Sequence, residues 1–395
     1  MIEGYRKAFN ESFSVEKYEE LILSLQKSLT TIPFRVAETP VFIPTDLKDQ
    51  LVAAGAEIIA LIRRPDFKSL SAAAIPAEWN VAGENDHPHF LTFDFGICKD
   101  EQGRLVPKLI EMQGFPSLYG FQPVLAKTYK EVFDLPDGLT PYFEGLKEDE
   151  YIAMLKKVIL GPYQPYEVAL MDIDAPAQKT LIDFLITHEF LGIKILSLTD
   201  IFKEGQNLYY YEQGQKIQLK RIYNRLIFDE IAGQTGLFSQ SFDPREALNI
   251  EWITHPNWFY RISKYTMPFL KSNFIPETWF LDQLKNIPAD LENYVLKPLF
   301  SFAGMGVIIE VTAADIKAIT DPQNWILQRK VEYAPVVQAP DARVKAEIRL
   351  MYLWADGEDP KLCISLVRLS RGKMIGVRYN KDFDWVGGTI GLMEQ

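Results

Sequence analysis

Cysteine and positive charge are scarce in this chain of 395 residues, and each shortage excludes a class of protein. The two cysteines, Cys98 and Cys363, are too few and too far apart for a disulfide framework or a cysteine zinc site, which indicates a reducing compartment. A formal net charge of -11 gives no general attraction to a phosphate backbone. We therefore expect no nucleic-acid partner.

Long apolar runs are also absent. No stretch reaches the length that spans a bilayer, and the N-terminal residues 1–13 are mixed and charged. We therefore expect no membrane partner and a cytoplasmic location. The pair His87 and His89 has no further histidine nearby, which favours surface or hydrogen-bonding roles over a metal site.

Core-forming sequence is abundant, since 47% of the residues are hydrophobic, enough for two or three compact units. Helical spacing of apolar residues predicts helices over 14–28 and 45–64. From residue 166 the pattern changes to strand, helix and strand, which predicts a β-α-β unit. We predict three parts, which cover residues 1–155, 156–230 and 231–395.

A lysine opens a small-residue loop between two β-rich runs in the segment from Asn293 to Glu310. Gly304 and Gly306 lack a Cβ, so their amides can approach an anion closely, and Lys297 adds a positive charge from the entering strand. The loop is not a Walker A sequence, because no Gly-Lys-Ser/Thr closes it. The pattern predicts phosphate binding, and an ordinary β-hairpin with an exposed lysine is the alternative.

Two further β-rich runs, around a polar stretch, predict a β-hairpin. With a two-residue turn at Gln102 and Gly103, residues whose numbers sum to 205 lie opposite each other, and Asp94 faces Glu111. Gln113 shares their face, so two carboxylates and a carboxamide form a cluster. Because a hard divalent cation stabilises such a pair, the hairpin predicts Mg²⁺ bound by Asp94, Glu111 and Gln113.

Two alternatives stay open for this hairpin. Its charged face could be solvated, with Lys108 nearby to balance the carboxylates. A shift of one residue in the turn would place Ile110, instead of Glu111, opposite Asp94.

The order of these motifs resembles the circularly permuted ATP-grasp enzymes, as found in eukaryotic-type glutathione synthetase and glutathionylspermidine synthetase. In that group an Asp and a following Glu-x-Asn precede the nucleotide-binding lysines; here Asp94 and the run Glu111 to Gln113 precede Lys264 and Lys297. The resemblance implies an α/β (α+β) chain with a circularly permuted ATP-grasp fold and an inserted Rossmann-like β-α-β substrate domain. The metal-binding hairpin would lie in the first part, and the nucleotide-binding part, with a glycine-rich lid loop, would be the third.

The same resemblance implies roles for individual residues. Arg349 matches the family's arginine that faces the transferred phosphoryl group, with a structural salt bridge as the alternative, and Arg368 and Arg371 are weaker candidates for that anionic site. Lys297 shares the catalytic role. Nucleotide contacts are implied for both lysines, for the lid loop and for the hinge beside adenine, namely Lys264, Lys297, Ser301, Gly304, Gly306, Gln328, Arg329, Lys330 and Val331.

The implied activity is ATP-dependent, ADP-forming ligation of a carboxylate to an amine through an acyl phosphate, which makes an amide or peptide-like bond on a small molecule. ATP and Mg²⁺ would be the cofactors, and a small-molecule carboxylate and an amine the substrates. Arg221 and Arg225, at the end of the substrate domain, could hold an anionic substrate group. The oligomeric state stays open.

Three departures from the family pattern limit this transfer. Gln113 replaces the family's Asn, Ser301 stands where the loop often has a metal-binding glutamate, and Thr92 replaces an arginine associated with substrate binding in glutathione synthetase. Two other functions therefore stay open: a catalytically degenerate protein that binds a nucleotide or metabolite, and an ATP-grasp kinase that phosphorylates a small molecule.

Overall fold

The computed structural model describes residues 1–26, 29–227, 231, 236–300, 305–373, 375 and 380–395. Within these ranges, no helix combines the length and the apolar character needed to cross a lipid bilayer. The α-helices are, in chain order, Glu3–Ser12 (α1), Val15–Gln26 (α2), Thr45–Ile62 (α3), Phe67–Leu70 (α4), Phe121–Val132 (α5), Glu148–Leu160 (α6), Leu181–Leu191 (α7), Asn257–Arg261 (α8) and Ala313–Ala318 (α9).

The β-strands are, in chain order, Val41–Phe42 (β1), Phe90–Lys99 (β2), Leu105–Gln113 (β3), Leu139–Thr140 (β4), Val168–Asp172 (β5), Lys194–Ser197 (β6), Phe202–Glu204 (β7), Asn207–Glu212 (β8), Gln215–Leu219 (β9), Arg221–Asn224 (β10), Glu251–Ile253 (β11), Thr278–Phe280 (β12), Tyr294–Pro298 (β13), Trp325–Arg329 (β14), Pro335–Gln338 (β15), Arg343–Leu353 (β16), Lys361–Ser370 (β17), Gly387–Thr389 (β18) and Gly391–Glu394 (β19).

Three sheets matter for the site. The main sheet has the strand order β18-β17-β16-β2-β3, with β15 also paired to β16. The parallel sheet has the order β11-β10-β5-β6, and the small sheet has the order β12-β14-β13. Two further three-stranded sheets have the orders β1-β19-β4 and β7-β8-β9. This mixture of helices and several sheets is the α/β class that the sequence predicts.

Helix α3 shows how the sequence pattern produces the packing. Leu47, Leu51, Ala54 and Ile58 follow one another at helical spacing, and all four are fully buried in the main core. The predicted helices at the start of the chain are thus confirmed, with ends at Val15–Gln26 for α2 and Thr45–Ile62 for α3.

The hairpin of β2 and β3 is confirmed, but its predicted turn is wrong. Lys99 pairs with Leu105, so the connection includes all residues between them instead of the two that were expected. Asp100 holds this longer connection by accepting hydrogen bonds from the amides at 102 and 104. A β-bulge at Ile110 then restores the register, and Asp94 lies opposite Glu111 as predicted.

The predicted β-α-β unit is confirmed as β5, α7 and β6. Helix α7 ends at Gly192, whose φ of 71° is a left-handed conformation that glycine adopts without strain. Strand β10 pairs with β5, and β11 continues the sheet on the far side of β10, beyond residue 230. The division of the chain at residues 155 and 230 stays a prediction.

The small sheet carries the lysine segment. Leu296 and Leu327 pack into a separate small core on one face, so Lys297, next along β13, points to the opposite face. The chain returns antiparallel after the loop, but the pairing is limited to mutual hydrogen bonds of 2.9 Å between Leu296 and Ile308. Of the predicted loop residues, Ser301 and Gly304 lie outside the described residues.

Candidate functional site

Lys297 links the small sheet to the main sheet. Its ammonium donates a hydrogen bond of 3.0 Å to the carbonyl oxygen of Ile110 and one of 2.7 Å to Oε1 of Gln328. Ile110 is the extra residue of the β-bulge, so the irregularity that sets the hairpin register also supplies this acceptor. The lysine is thereby held beside Glu111, the next residue on β3.

The pKa of Lys297 is lowered to about 8, chiefly by burial and also by the neighbouring Lys264, while Glu111 and Glu347 oppose the shift. Both described acceptors of its ammonium are neutral oxygens. A buried ammonium without a hydrogen-bonded carboxylate gains strongly when an anion approaches, because the anion restores the charge balance lost on burial.

A small cavity of about 30 Å³ opens next to these groups, between the end of β3 and the segment that follows α8. Polar and charged side chains from both sides line it together with aromatic ones; the residues are Glu111, Met112, Gln113, Phe115, Phe259, Ile262, Ser263, Lys264, Leu299 and Phe300. The structure therefore brings together four predicted residues, since Glu111, Gln113 and Lys264 line the cavity and Lys297 lies beside Glu111.

Asp94 and Arg349 form the centre of a charged row across the main sheet. Arg349 faces Asp94 directly on the adjacent strand and donates two hydrogen bonds, of 2.5 and 2.7 Å, to the two carboxylate oxygens. Arg368, from the next strand, also donates to Asp94 and forms an ion pair of 2.6 Å with Glu347. Tyr333 donates a hydrogen bond of 2.6 Å to the other oxygen of Glu347.

Asp94, Glu347 and Arg349 are buried, Arg368 is partly exposed, and the carboxylates and guanidiniums are matched in number. Burial alone would raise the pKa of Asp94, but Arg349 and Arg368 together hold the pKa below its ordinary value. Burial raises the pKa of Glu347, against the opposing effect of Arg368. Asp94 is thus the ionised carboxylate on which both guanidiniums converge.

The donor set for Mg²⁺ fits only in part. Both oxygens of Asp94 accept from guanidinium groups, whereas the half-buried Glu111 accepts a hydrogen bond of 2.5 Å from the Gln113 amide. A cation shared by Glu111 and Gln113 requires that amide to turn its oxygen inward, a rotation about a soft terminal torsion. Among the described residues, no group of three or more His, Cys, Asp or Glu side chains has metal-binding geometry.

The residues of the predicted adenine hinge differ in their environments. Gln328 is fully buried, and its side chain, which accepts from Lys297, also donates a hydrogen bond of 3.0 Å to Thr278. The amides of Arg329 and Lys330 donate within the fold, to the carbonyls of Glu277 and Asn293. These two amides are therefore already used within the fold, and the predicted contact with adenine now concerns only the carbonyls of Arg329 and Lys330 and the residue Val331.

Two arginines lie at opposite ends of strand β10 in the parallel sheet and have different partners. Arg221 forms ion pairs of 2.9 Å with Asp356 and 3.4 Å with Glu251. The guanidinium of Arg225 lies 4.8 Å from the ring centre of Phe115, a cavity residue, and its Nε and Nη1 have no hydrogen-bond partner within the described part of the chain.

Several residues of interest lie away from the cavity or serve the fold. Arg371 forms a surface ion pair with Asp341, with two contacts of 2.7 Å. Gly387 packs against the chain near Arg35, where a Cβ would come 2.5 Å from the Arg35 carbonyl oxygen. The hydrogen-bonding role predicted for the histidine pair is confirmed by the contact of 3.0 Å between His89 and Asp356.

Comparison with known proteins gives a structural match only. No family model and no curated protein matches this sequence. Among solved structures, the apo form of a glutathione synthetase-like effector, GSS30, from Globodera pallida matches with a TM-score of 0.61. The chain has a glutathione synthetase-like fold. The match covers 96% of each chain at 12% sequence identity, so it carries the fold and nothing finer.

Sequence reasoning named Asp94 and Arg349 but missed part of the charged row. It named Arg368 only as a weaker candidate and did not single out Glu347 or Tyr333 as partners in the site. Alternation along β16 places Glu347 and Arg349 on one face, which is a signal present in the sequence. The bulge at Ile110, by contrast, has no signature in the sequence of β3, because a bulge depends on the partner strand as much as on its own residues.

Proposed function

We propose that this chain is a circularly permuted ATP-grasp protein that binds ATP with Mg²⁺ and joins a small-molecule carboxylate to an amine, with release of ADP. The observation that carries the proposal is that Lys264 and Glu111 line one cavity and that Lys297 lies beside Glu111. Two buried lysines close together at a cavity suit a polyphosphate, because each can donate hydrogen bonds to its oxygens.

The chain's own residues have distinct tasks in this reaction. Lys297 and Lys264 would bind phosphate oxygens. Arg349 would face the transferred phosphoryl group and stabilise the negative charge that redistributes over it during transfer. Mg²⁺, when bound, would neutralise phosphate charge, and Glu111 and Gln113 are the residues that would hold it. The apolar walls contributed by Phe259 and Phe300 would exclude water from the cavity.

The chemistry conserves atoms in two steps. A carboxylate oxygen of the acid substrate attacks the γ-phosphorus and ADP leaves, which gives an acyl phosphate; the amine nitrogen then attacks the acyl carbon and inorganic phosphate leaves. A second anionic group on the acid would bind Arg225, whose Nε and Nη1 have no hydrogen-bond partner among the described residues and whose guanidinium lies against Phe115, a cavity residue.

A second function is favoured by a specific observation. The amide of Gln113 donates to Glu111, which uses one carboxylate oxygen, and both oxygens of Asp94 accept from arginines. A protein that binds a nucleotide or metabolite without turnover requires fewer free metal ligands than a ligase. The structural neighbour is itself an effector, which is compatible with such a role.

The first test is a thermal unfolding measurement with Mg²⁺ and a non-hydrolysable ATP analogue. Ligand at 100 times its Kd stabilises the folded state by about 2.7 kcal/mol, so the parent protein should show a magnesium-dependent rise in Tm. Lys297→Met and Glu111→Gln should lose that rise. Lys285→Met, which removes an exposed lysine elsewhere, is the matched control and should keep it.

Turnover then separates the candidate functions. ADP release that requires both a carboxylate and an amine supports the ligase, and ADP release with an alcohol alone supports a kinase. Binding without ADP release across a broad screen of acids and amines supports the binding protein. A parent protein whose Tm does not respond to saturating nucleotide would rule out the ligase, the kinase and the nucleotide-binding protein.

A further inference from the structure

Asp94 occupies the position of a predicted metal ligand, yet its contacts are those of an anchor for cations. We infer that Asp94 binds no metal ion and instead positions Arg349 and Arg368 toward the phosphate site, while the nucleotide's divalent cation is held from the Glu111 side alone. The positioning role rests on the proposed function; the assignment of the partners of Asp94 does not.

The register of the main sheet imposes this arrangement. Arg349 lies directly opposite Asp94, and Arg368 lies opposite Glu347 two residue pairs further along, so all four side chains share a face. The Asp94 carboxylate is 1% exposed and receives both arms of the Arg349 fork. A bidentate pair of this kind fixes the orientation of the guanidinium as well as its position.

A cation at Asp94 would have to displace these arginines. The carboxylate would then exchange guanidinium contacts for one metal bond and leave the buried Arg349 and the partly exposed Arg368 without their common partner. Arg368 already has a buried Nε without a hydrogen-bond partner among the described residues. Loss of Asp94 as an acceptor would therefore leave still more of its N–H donors unsatisfied. Glu111, on the other side of Asp94, is only half-buried and lines the cavity, which makes it the accessible carboxylate.

The first experiment is a double-mutant cycle on stability, without nucleotide or metal. Asp94→Asn and Arg349→Gln should each lower the folding equilibrium constant by about 100- to 1000-fold, because each leaves a buried charge partly unpaired. The double variant, in which the pair is neutral and neither charge is left without its partner, should lose less than either single variant. Additive losses would show that the two residues act independently and would overturn the anchoring.

The second experiment measures Mn²⁺ affinity by titration in the presence of the non-hydrolysable ATP analogue. Glu111→Gln should weaken Mn²⁺ binding about tenfold or more, whereas Asp94→Asn should leave it within about threefold of the parent value. Asp94→Asn should nevertheless weaken the analogue about tenfold, because its arginines are no longer held in place. If Asp94→Asn is not folded, the Asp94→Asn/Arg349→Gln double variant takes its place for the Mn²⁺ measurement.

The outcomes are distinct. Equal loss of Mn²⁺ affinity in Asp94→Asn, or in its double variant, and in Glu111→Gln would make Asp94 a ligand and overturn the inference. Unchanged affinities for both Mn²⁺ and the analogue in Asp94→Asn would overturn the positioning role. A parent protein that does not bind the analogue would instead overturn the proposed function, and the stability cycle would still decide whether Asp94 anchors the arginines.

Discussion

On the main sheet, the guanidiniums of the buried Arg349 and the partly exposed Arg368 are matched by the carboxylates of Asp94 and Glu347, whereas on the small sheet the buried ammonium of Lys297 donates to two neutral oxygens. The first arrangement is neutral overall and is complete without a ligand. The second retains uncompensated positive charge next to a cavity. Where buried cations have partners they maintain geometry, and where they lack anionic partners they are available for a ligand.

The largest expected effect comes from breaking the neutral row. Arg349→Ala leaves Asp94 with only part of its compensation and should lower the free energy of unfolding by about 3 to 5 kcal/mol, measured by urea denaturation. Arg63→Ala is the control, because Arg63 pairs with Asp359 at 2.6 Å on the surface, where both side chains are about half exposed or more. That pair should contribute only about 0 to 1 kcal/mol. Similar losses in the two variants would contradict the comparison.

The uncompensated charge of Lys297 should appear as a pH dependence. The pKa in the folded protein is lowered to about 8 from an ordinary value of 10.5, so between these values the unfolded chain binds more protons. Stability should therefore rise from pH 8 upward, and the parent should gain roughly 2 to 3 kcal/mol over Lys297→Met between pH 7 and pH 10. Urea denaturation at both pH values measures the change in this difference, and a constant difference would show that the ammonium is not strained by burial.

Acidification can place a further positive charge in the protein interior, on His255. His255 donates through Nε2 to the Ala82 carbonyl at 3.1 Å and accepts at Nδ1 from the Asn257 amide at 3.3 Å, which describes the neutral ring. Burial lowers the pKa of His255 to about 4, so the unfolded chain takes up the proton first as the pH falls below 6.5.

The parent should accordingly lose about 2 kcal/mol more than His255→Gln when the pH falls from 7 to 5. Comparing the parent with His255→Gln at the same two pH values removes the contribution of the other titratable groups, which both proteins share. Equal losses would mean that the folded protein accommodates the charged ring.

A smaller effect is expected at Gly161, whose missing side chain leaves room for the guanidinium of Arg221. Gly161 has a φ of 55°, and a Cβ there would lie 1.7 Å from Nη1 of Arg221. Gly161→Ala should therefore cost about 1 to 2 kcal/mol through backbone strain and displacement of the guanidinium. Gly138→Ala, at a position with no atom within 4 Å of the added Cβ, should change the unfolding free energy by less than about 0.5 kcal/mol in either direction.

The hairpin shows how far sequence reasoning reached. The pairing of Asp94 with Glu111 was predicted correctly although the turn was wrong, because the longer connection and the bulge at Ile110 compensate each other. Gln328 shows the opposite case: it was placed in the hinge by its neighbours along the chain, but its side chain is buried and holds Lys297. Tertiary contacts, which no local pattern encodes, account for both differences.

The sequence by itself determined the α/β class, the position of several helices and strands, and the types of charged residue available for a site, because these follow from local periodicity and side-chain chemistry. Only the tertiary structure decided the partner of each charge. Asp94 and Arg349 are 255 positions apart, and Lys297 meets Ile110 across 187 positions. Such pairings depend on sheet order and register, which arise when remote strands pair and bury their shared faces.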